Sequence, residues 1–310
     1  MKYLQIQNIH IKNLYIMSKW KLLFLGDAMC HDNQRELAYK NGTYNFDNSF
    51  DKLKDVFGEH DYVACNMESP ICEPPYMGFP KFNTPVEFAD SLIDIGANIF
   101  FLANNHINDR GEKGIESTIN KLTTGYTKGG VDKSKIYTLG ASGKGIGNKY
   151  IIINGVAILN YTNILNNKEV GENISINMIE DDMMTISQDI ANVKKEGAKY
   201  IIVYIHWGKE YERFHSESQR KIAEILVNCG VNLIIGGHPH VVEDYEFINN
   251  VPVFYSLGNF ISSQPEDFRT ESVGLSLEFD GSFLMNINCI PFKTENDDKK
   301  YFTKVVGYAN

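Results

Sequence analysis

Five short apolar runs in this chain each end on a side chain that can ligate a metal or move a proton. That repeated ending constrains the fold more than any other feature. Residues 21–26 run into Asp27, 62–65 into Asn66 and Glu68, and 97–103 into Asn104, Asn105 and His106. Residues 200–205 are followed at once by His206, and 231–235 by Gly236-Gly237-His238-Pro239-His240. Apolar, β-branched runs of this length read as buried strands, and open α/β sheets bind ligands at their strands' carboxyl ends. Taken singly, each ending reads as a turn former. Five on one edge point to a shared site. In the last of them the fixed φ of Pro239 can hold two imidazoles toward one point, which suits a metal site, although a histidine pair in a turn can also be simply solvated.

Amphipathic stretches separate the runs. Residues 218–229 place Ile222, Ile225, Leu226 and Cys229 at i, i+3, i+4 and i+7, with Gly230 as the stop. Residues 86–95 close at Gly96 and 178–196 at Gly197, giving two more helices. Residues 150–161 carry Asn154-Gly155 between apolar strands, the signature of a type I′ hairpin. A hairpin at mid-chain argues against a purely parallel sheet, so two packed sheets flanked by helices are expected. Residues 123–148, rich in Gly, Lys and Thr, read as a mobile loop, and the tail 286–310, charged over 293–300, as a surface hairpin.

Composition excludes several classes. The chain of 310 residues has a formal net charge of −9, so there is no basic footprint for nucleic acid. The five cysteines, Cys30, Cys65, Cys72, Cys229 and Cys289, are odd in number and contain no Cys-x-x-Cys pair. They read as small buried hydrophobes in a reducing compartment rather than a disulfide framework. No run approaches the ~18 apolar residues of a membrane span, and the first sixteen residues lack the pattern of a signal peptide. Residues 1–20 are expected to be an N-terminal extension, with Met17 an alternative start, residues 21–310 a single domain, and the protein cytoplasmic. His10, His60 and His215 fall outside every motif and read as surface residues.

Taken together, Gly26-Asp27-Ala28-Met29, Asn66-Met67-Glu68-Ser69-Pro70, Ala103-Asn104-Asn105-His106-Ile107-Asn108-Asp109, His206-Trp207-Gly208-Lys209-Glu210-Tyr211, Gly237-His238-Pro239-His240-Val241 and Tyr255-Ser256-Leu257-Gly258-Asn259-Phe260 follow one order. In that order the chain resembles the CapA family, the poly-γ-glutamate capsule-biosynthesis proteins related to calcineurin-like metallophosphoesterases. The resemblance runs from about Lys21 to Gln264. It implies a four-layer α/β/β/α metallophosphoesterase-like sandwich and one or two divalent ions (Mn, Fe or Zn) at the sheet edge. By position, Asp27 and His240 would bind the first metal, Asn105, His206 and His238 the second, and Glu68 would bridge both. His106 would contact the scissile phosphate or protonate the leaving group, and Asp109 would either orient His106 or cap the following helix. Such ligands suit those metals, and two ions could share a hydroxide that attacks the ester.

The match departs from the superfamily at two places. Met29 stands where Asp-x-His would put a histidine, so the first metal lacks an expected ligand. His31 is a candidate substitute, or else a solvated loop histidine. Glu68 stands where the superfamily has Asp. Glu210, Tyr211 and Asn259 are expected beside the ligands or facing substrate. The leading expectation is a metal-dependent phosphoester hydrolase acting on a small-molecule or polymer substrate, phosphoester or polyglutamate-like. The alternative is a non-catalytic accessory or polymer-binding protein of capsule synthesis, set aside here because the chain shows no membrane anchor. The oligomeric state is not legible.

Overall fold

A computed structural model describes residues 18–180, 182–265 and 267–306. Most of the stretch read as an extension, including Met17 and His10, lies outside the described residues. Lys19 and Trp20 do not: they open the central strand Lys19–Ala28, where Trp20 stacks on Phe279 at 4.7 Å.

Two mixed sheets carry the fold. The first has eight strands, in the order Tyr301–Val305, Phe283–Asn296, Glu271–Asp280, Lys19–Ala28, Tyr62–Met67, Ile99–Phe101, Tyr137–Leu139, with Asn259–Ile261 also beside Lys19–Ala28. The second has six, in the order Tyr245–Ile248, Val251–Phe254, Leu233–Gly237, Tyr200–His206, Val156–Thr162, Tyr150–Ile153. The first is parallel from Lys19–Ala28 to its Tyr137–Leu139 edge and antiparallel toward the other, whereas the second is parallel through its middle and antiparallel at both edges. Strand side chains alternate faces, and here both faces are covered, so both are apolar. Leu22, Phe24 and Phe101 meet Ile158, Ile202 and Ile235 between the sheets. Leu23, Val63 and Phe100 face outward onto Phe88 and Leu92 of helix Val86–Asp94 and onto Ile115 and Ile119 of helix Gly111–Thr123. Leu159, Val203 and Ile234 face the other way, onto Ile186 and Ile190 of helix Met184–Lys195 and onto Ala223 and Leu226 of helix Glu217–Asn228. The layers are therefore α/β/β/α, as expected. Each of these side chains is buried, at about 1.5–3 kcal/mol apiece relative to exposure.

The hairpin turns at Asn154 and Gly155, both with positive φ, and glycines stop the helices near 96, 197 and 230 as expected. Four expectations need correction. The helix expected over 178–196 begins only at Met184, because Ile179 N–H is drawn to Thr162 O and Met183 is left-handed. Residues 123–148 are not a loop throughout: Tyr137–Leu139 pairs with Ile99–Phe101 as the outer strand of the first sheet. The tail does form a hairpin, but its Phe292, Thr294, Phe302 and Thr303 are buried, so it belongs to the first sheet rather than the surface. Among the cysteines only Cys30 and Cys65 are buried; Cys289 is exposed.

The two outlying histidines are also anchored. His60 bonds Val56 O and Ser276 Oγ, while His215 stacks on Tyr255 at 4.0 Å and meets Asp244.

One crossing brings the sheets together. Residues 255–258 leave the second sheet and enter the first beside Gly26, where any Cβ would lie 1.9 Å from Gly258 O. Only glycine permits that approach, and it lets Asp27 N–H reach Gly258 O at 3.0 Å.

Candidate metal centre

The parallel strands of both sheets end at one seam. Lys19–Ala28, Tyr62–Met67 and Ile99–Phe101 bring Asp27, Glu68 and Asn105 from the first sheet. Tyr200–His206 and Leu233–Gly237 bring His206, His238 and His240 from the second. Five strand ends thus converge, but from two sheets rather than one edge. Asn160 stitches the seam: its Oδ1 accepts from Leu102 and Ala103 N–H, and its Nδ2 donates to Tyr204 O.

His206 Nε2 is the hub of one donor set. It lies 2.9 Å from Asn105 Oδ1, 3.1 Å from His238 Nδ1 and 3.4 Å from Glu68 Oε1. Neighbouring ligands about 3 Å apart suit an ion with bonds of about 2.0–2.2 Å. A second set joins Asp27, Glu68 and His240, whose candidate ligand atoms lie within 4.8 Å of one another. His240 Nδ1 is 3.3 Å from Asp27 Oδ2, and its Nε2 is 3.7 Å from Glu68 Oε1. Glu68 is common to both sets. All six expected ligands are therefore brought together and buried.

Local structure aims these groups. His238 and His240 flank Pro239 with φ of 95° and 60°, a conformation unusual for non-glycine residues that turns both rings inward. Asn259 Nδ2 donates to Gln264 Oε1 and Arg269 O, so its Oδ1 is left to accept from His240 Nδ1–H at 3.0 Å. That tautomer leaves His240 Nε2 a free lone pair toward Glu68. Asp27 is held twice, accepting from Asn66 Nδ2 at 2.7 Å and from His238 N–H at 3.0 Å. Gly237 permits this, since a Cβ there would stand 2.7 Å from Asp27 Oδ1.

The electrostatics favour neutral imidazoles and oppose a charged Glu68 unless a cation is bound beside it. Burial, with His238 and His240 nearby, holds His206 well below its ordinary pKa. Burial also lowers His238, to about 4, and His240 adds to the effect. Burial and the Asp27 carboxylate push Glu68 well above the usual carboxylate range. Both Glu68 oxygens are buried without a hydrogen-bond partner, as is the Tyr204 hydroxyl. A buried carboxylate with no donor is costly, and a cation held at this point would remove that cost. Carboxylate, amide and imidazole donors without thiolate are the set that Mn²⁺, Fe²⁺ or Zn²⁺ accepts. The residues present could hold a divalent ion.

His106 sits beside this cluster. Its Nδ1 meets Asp109 Oδ2 at 2.7 Å, with the two side chains 4% and 3% exposed. The same Asp109 oxygen accepts from Phe82 N–H, and the next helix starts at Gly111 with no side-chain cap. Asp109 therefore bonds His106 and Phe82 N–H and does not cap that helix. Phe82 packs edge-on against both His106 and His31. His31 is no solvated loop histidine: its backbone N–H donates to Gln34 Oε1, its Nδ1 accepts from Ser263 N–H, and burial lowers it to about 4. Nor does it join either donor set, and Met29 is buried.

Tyr204 and Asn160 are the neighbours that reading the sequence did not single out, and Asn66 was named only as a strand ending. Asn66 stands in a quoted motif, but Tyr204 and Asn160 lie mid-strand, where nothing local distinguishes them from core. Glu210 is exposed and reaches inward, and its carboxylate forms a third group with His238 and His240. Beside it, the Arg269 guanidinium lies 3.6 Å over the Tyr211 ring.

Comparison with known proteins identifies the family. Residues 21–264 match the family model described as bacterial capsule synthesis protein PGA_cap. The chain is 30% identical over 248 residues to the PGA biosynthesis protein CapA of Bacillus subtilis, covering 78% of this chain and 63% of that protein. It is 28% identical over 307 residues to the capsule biosynthesis protein CapA of Bacillus anthracis, covering 93% of this chain and 71% of that one. This chain therefore spans less than two thirds of the length of the first relative. Among solved structures, a hypothetical protein from Thermus thermophilus aligns with a TM-score of 0.51 at 14% identity, over 88% of this chain and 99% of that one, a likeness of fold alone. Among the described residues, no helix is long and apolar enough to cross a membrane.

Proposed function

The chain belongs to the PGA_cap family of bacterial capsule synthesis proteins, and from that premise we propose that it is a metal-dependent hydrolase of phosphoester bonds. The observation that carries the reading is Glu68: a wholly buried carboxylate with no hydrogen-bond partner, faced by His206 and His240. In a structural network such a group would have a donor.

In this reading Asp27, Glu68 and His240 hold one divalent ion, and Glu68, Asn105, His206 and His238 another. Ions bound there would draw charge from the phosphoryl oxygens and bring the pKa of a bound water toward about 7. His106 delivers a proton to the leaving oxygen from Nε2, while Asp109 fixes the ring through Nδ1. Asn66 and Asn259 hold Asp27 and His240 in place. Phe82 packs edge-on against the His106 ring and limits how it can turn.

The capsule context, set aside on the sequence for want of an anchor, returns with the family. It makes a polymer or polymer precursor the natural substrate. The test is direct. Metal content is measured on the purified protein, and p-nitrophenyl phosphate and bis-p-nitrophenyl phosphate are assayed with added Mn²⁺, Fe²⁺ and Zn²⁺. Stoichiometric metal with turnover supports the hydrolase. A filled site without turnover of either ester would leave a metal-binding accessory of capsule synthesis instead.

A further inference from the structure

Among the described residues, Glu210 is the one exposed candidate donor grouped with the centre's histidines. Its carboxylate, a nitrogen of His238 and a nitrogen of His240 lie within 4.8 Å of one another, yet Glu210 is exposed and the two histidines are buried. Those histidines belong to different donor sets, so the carboxylate spans both at the mouth. Its group does not include Asp27 or Glu68, the two buried carboxylates of the centre. The position is built. Gly208 (φ 92°) and Tyr211 (φ 69°) bend the segment back, and Tyr211 N–H donates to Pro239 O at 2.8 Å. That bond pins the Glu210 loop across the His238-Pro239-His240 turn. Lys209 is turned to Glu212 at 2.8 Å and does not neutralise Glu210.

We infer that Glu210 is a specificity-determining residue that turns dianionic phosphomonoesters away from the centre and leaves phosphodiesters as the favoured substrate class. The inference rests on the hydrolase reading above. A monoester brings two negative charges to the place where Glu210 already holds one, whereas a diester brings one and replaces the other with a neutral substituent. Like charges about 5 Å apart near a protein surface repel enough to change binding by about tenfold or more, and salt weakens the effect.

The experiment uses the Mn²⁺-loaded full chain as wild type, E210Q and E210D. Each is titrated calorimetrically with inorganic phosphate and with dimethyl phosphate at about pH 8, where phosphate is mostly a dianion. Turnover of p-nitrophenyl phosphate and bis-p-nitrophenyl phosphate is followed in parallel. Inorganic phosphate should bind E210Q about tenfold more tightly than wild type, with dimethyl phosphate little changed. E210D, which keeps the charge, should retain the wild-type discrimination, and the monoester-to-diester ratio of kcat/KM should rise only in E210Q. Unchanged phosphate affinity in E210Q overturns the inference, and so does equal tightening of both ligands. Loss of metal from E210Q overturns it in favour of a ligand role. Should wild type turn over neither ester, the hydrolase reading fails, while the phosphate titration still decides the role of Glu210.

Discussion

Glu68 Oε1 and His206 Nε2 face each other at 3.4 Å with both side chains fully out of solvent, one carried by each of the two sheets. No hydrogen bond satisfies the carboxylate. Folding alone therefore brings a buried carboxyl with no hydrogen-bond partner against a neutral imidazole, and a cation bound between them would let Glu68 ionise.

Stability should depend on metal through Glu68. In EDTA, E68Q is expected to melt at or above the wild-type temperature, because it removes an uncompensated buried carboxylate. With Mn²⁺ at a hundred times its Kd, the wild type should gain about 2.7 kcal/mol by mass action, and E68Q less than half of that. Calorimetric melting with and without Mn²⁺ checks this; equal gains in the two proteins would sink the assignment.

His106 and Asp109 should separate rate from metal binding. H106A is expected to keep its full metal complement and lose about 10²–10⁴-fold in kcat. D109N should also keep its metal and lose about 10–100-fold, because the ring loses its fixed orientation. Elemental analysis alongside steady-state kinetics tests both. Full activity in H106A would end its role as proton donor.

Asn66 is expected to matter as much as a ligand. N66A takes from Asp27 Oδ1 its 2.7 Å donor, at a position fully shielded from solvent. Metal affinity should fall about 10–100-fold, and stability by about 1–3 kcal/mol. Metal titration and urea unfolding measure the two effects separately, and wild-type affinity in N66A would mean that Asp27 needs no such support.

Glu243 gives the fold a pH dependence independent of the centre. Burial raises its pKa to about 7, even though Gln219 Nε2 donates to it at 2.8 Å. Unfolded, it titrates near the ordinary 4.5. Between those values the folded protein holds the extra proton, so stability falls as pH rises from about 4.5 through 7. E243Q should abolish that slope and be more stable than wild type above pH 7, by about 2 kcal/mol. Melting curves across that range in EDTA, compared between the two proteins, decide it; parallel curves would show that the carboxyl titrates normally.

Much of the fold was legible because its signals are local. Apolar runs, glycine stops and Asn154-Gly155 are written within a few residues of where they act, and the four layers follow from them. The failures were also physical. The helix expected from 178 starts late because Thr162, well upstream at the end of strand Val156–Thr162, captures Ile179 N–H. Tyr137–Leu139 looked like loop because a three-residue strand carries little periodicity and depends on Ile99–Phe101 for its pairing.

For the site, the sequence by itself determined which strand ends carry chemistry: Asp27, Glu68, Asn105, His106, His206, His238 and His240 are all named by their place after an apolar run. Tertiary structure alone decided how they are shared between two sheets, that Asp109 bonds His106 rather than capping a helix, that Asn259 fixes the tautomer of His240, and that Glu210 lies across the mouth. The reason is range. A strand end is set by its own neighbours, whereas a hydrogen bond such as Asp27 to His238 N–H joins residues 211 apart in sequence and exists only once both sheets have packed.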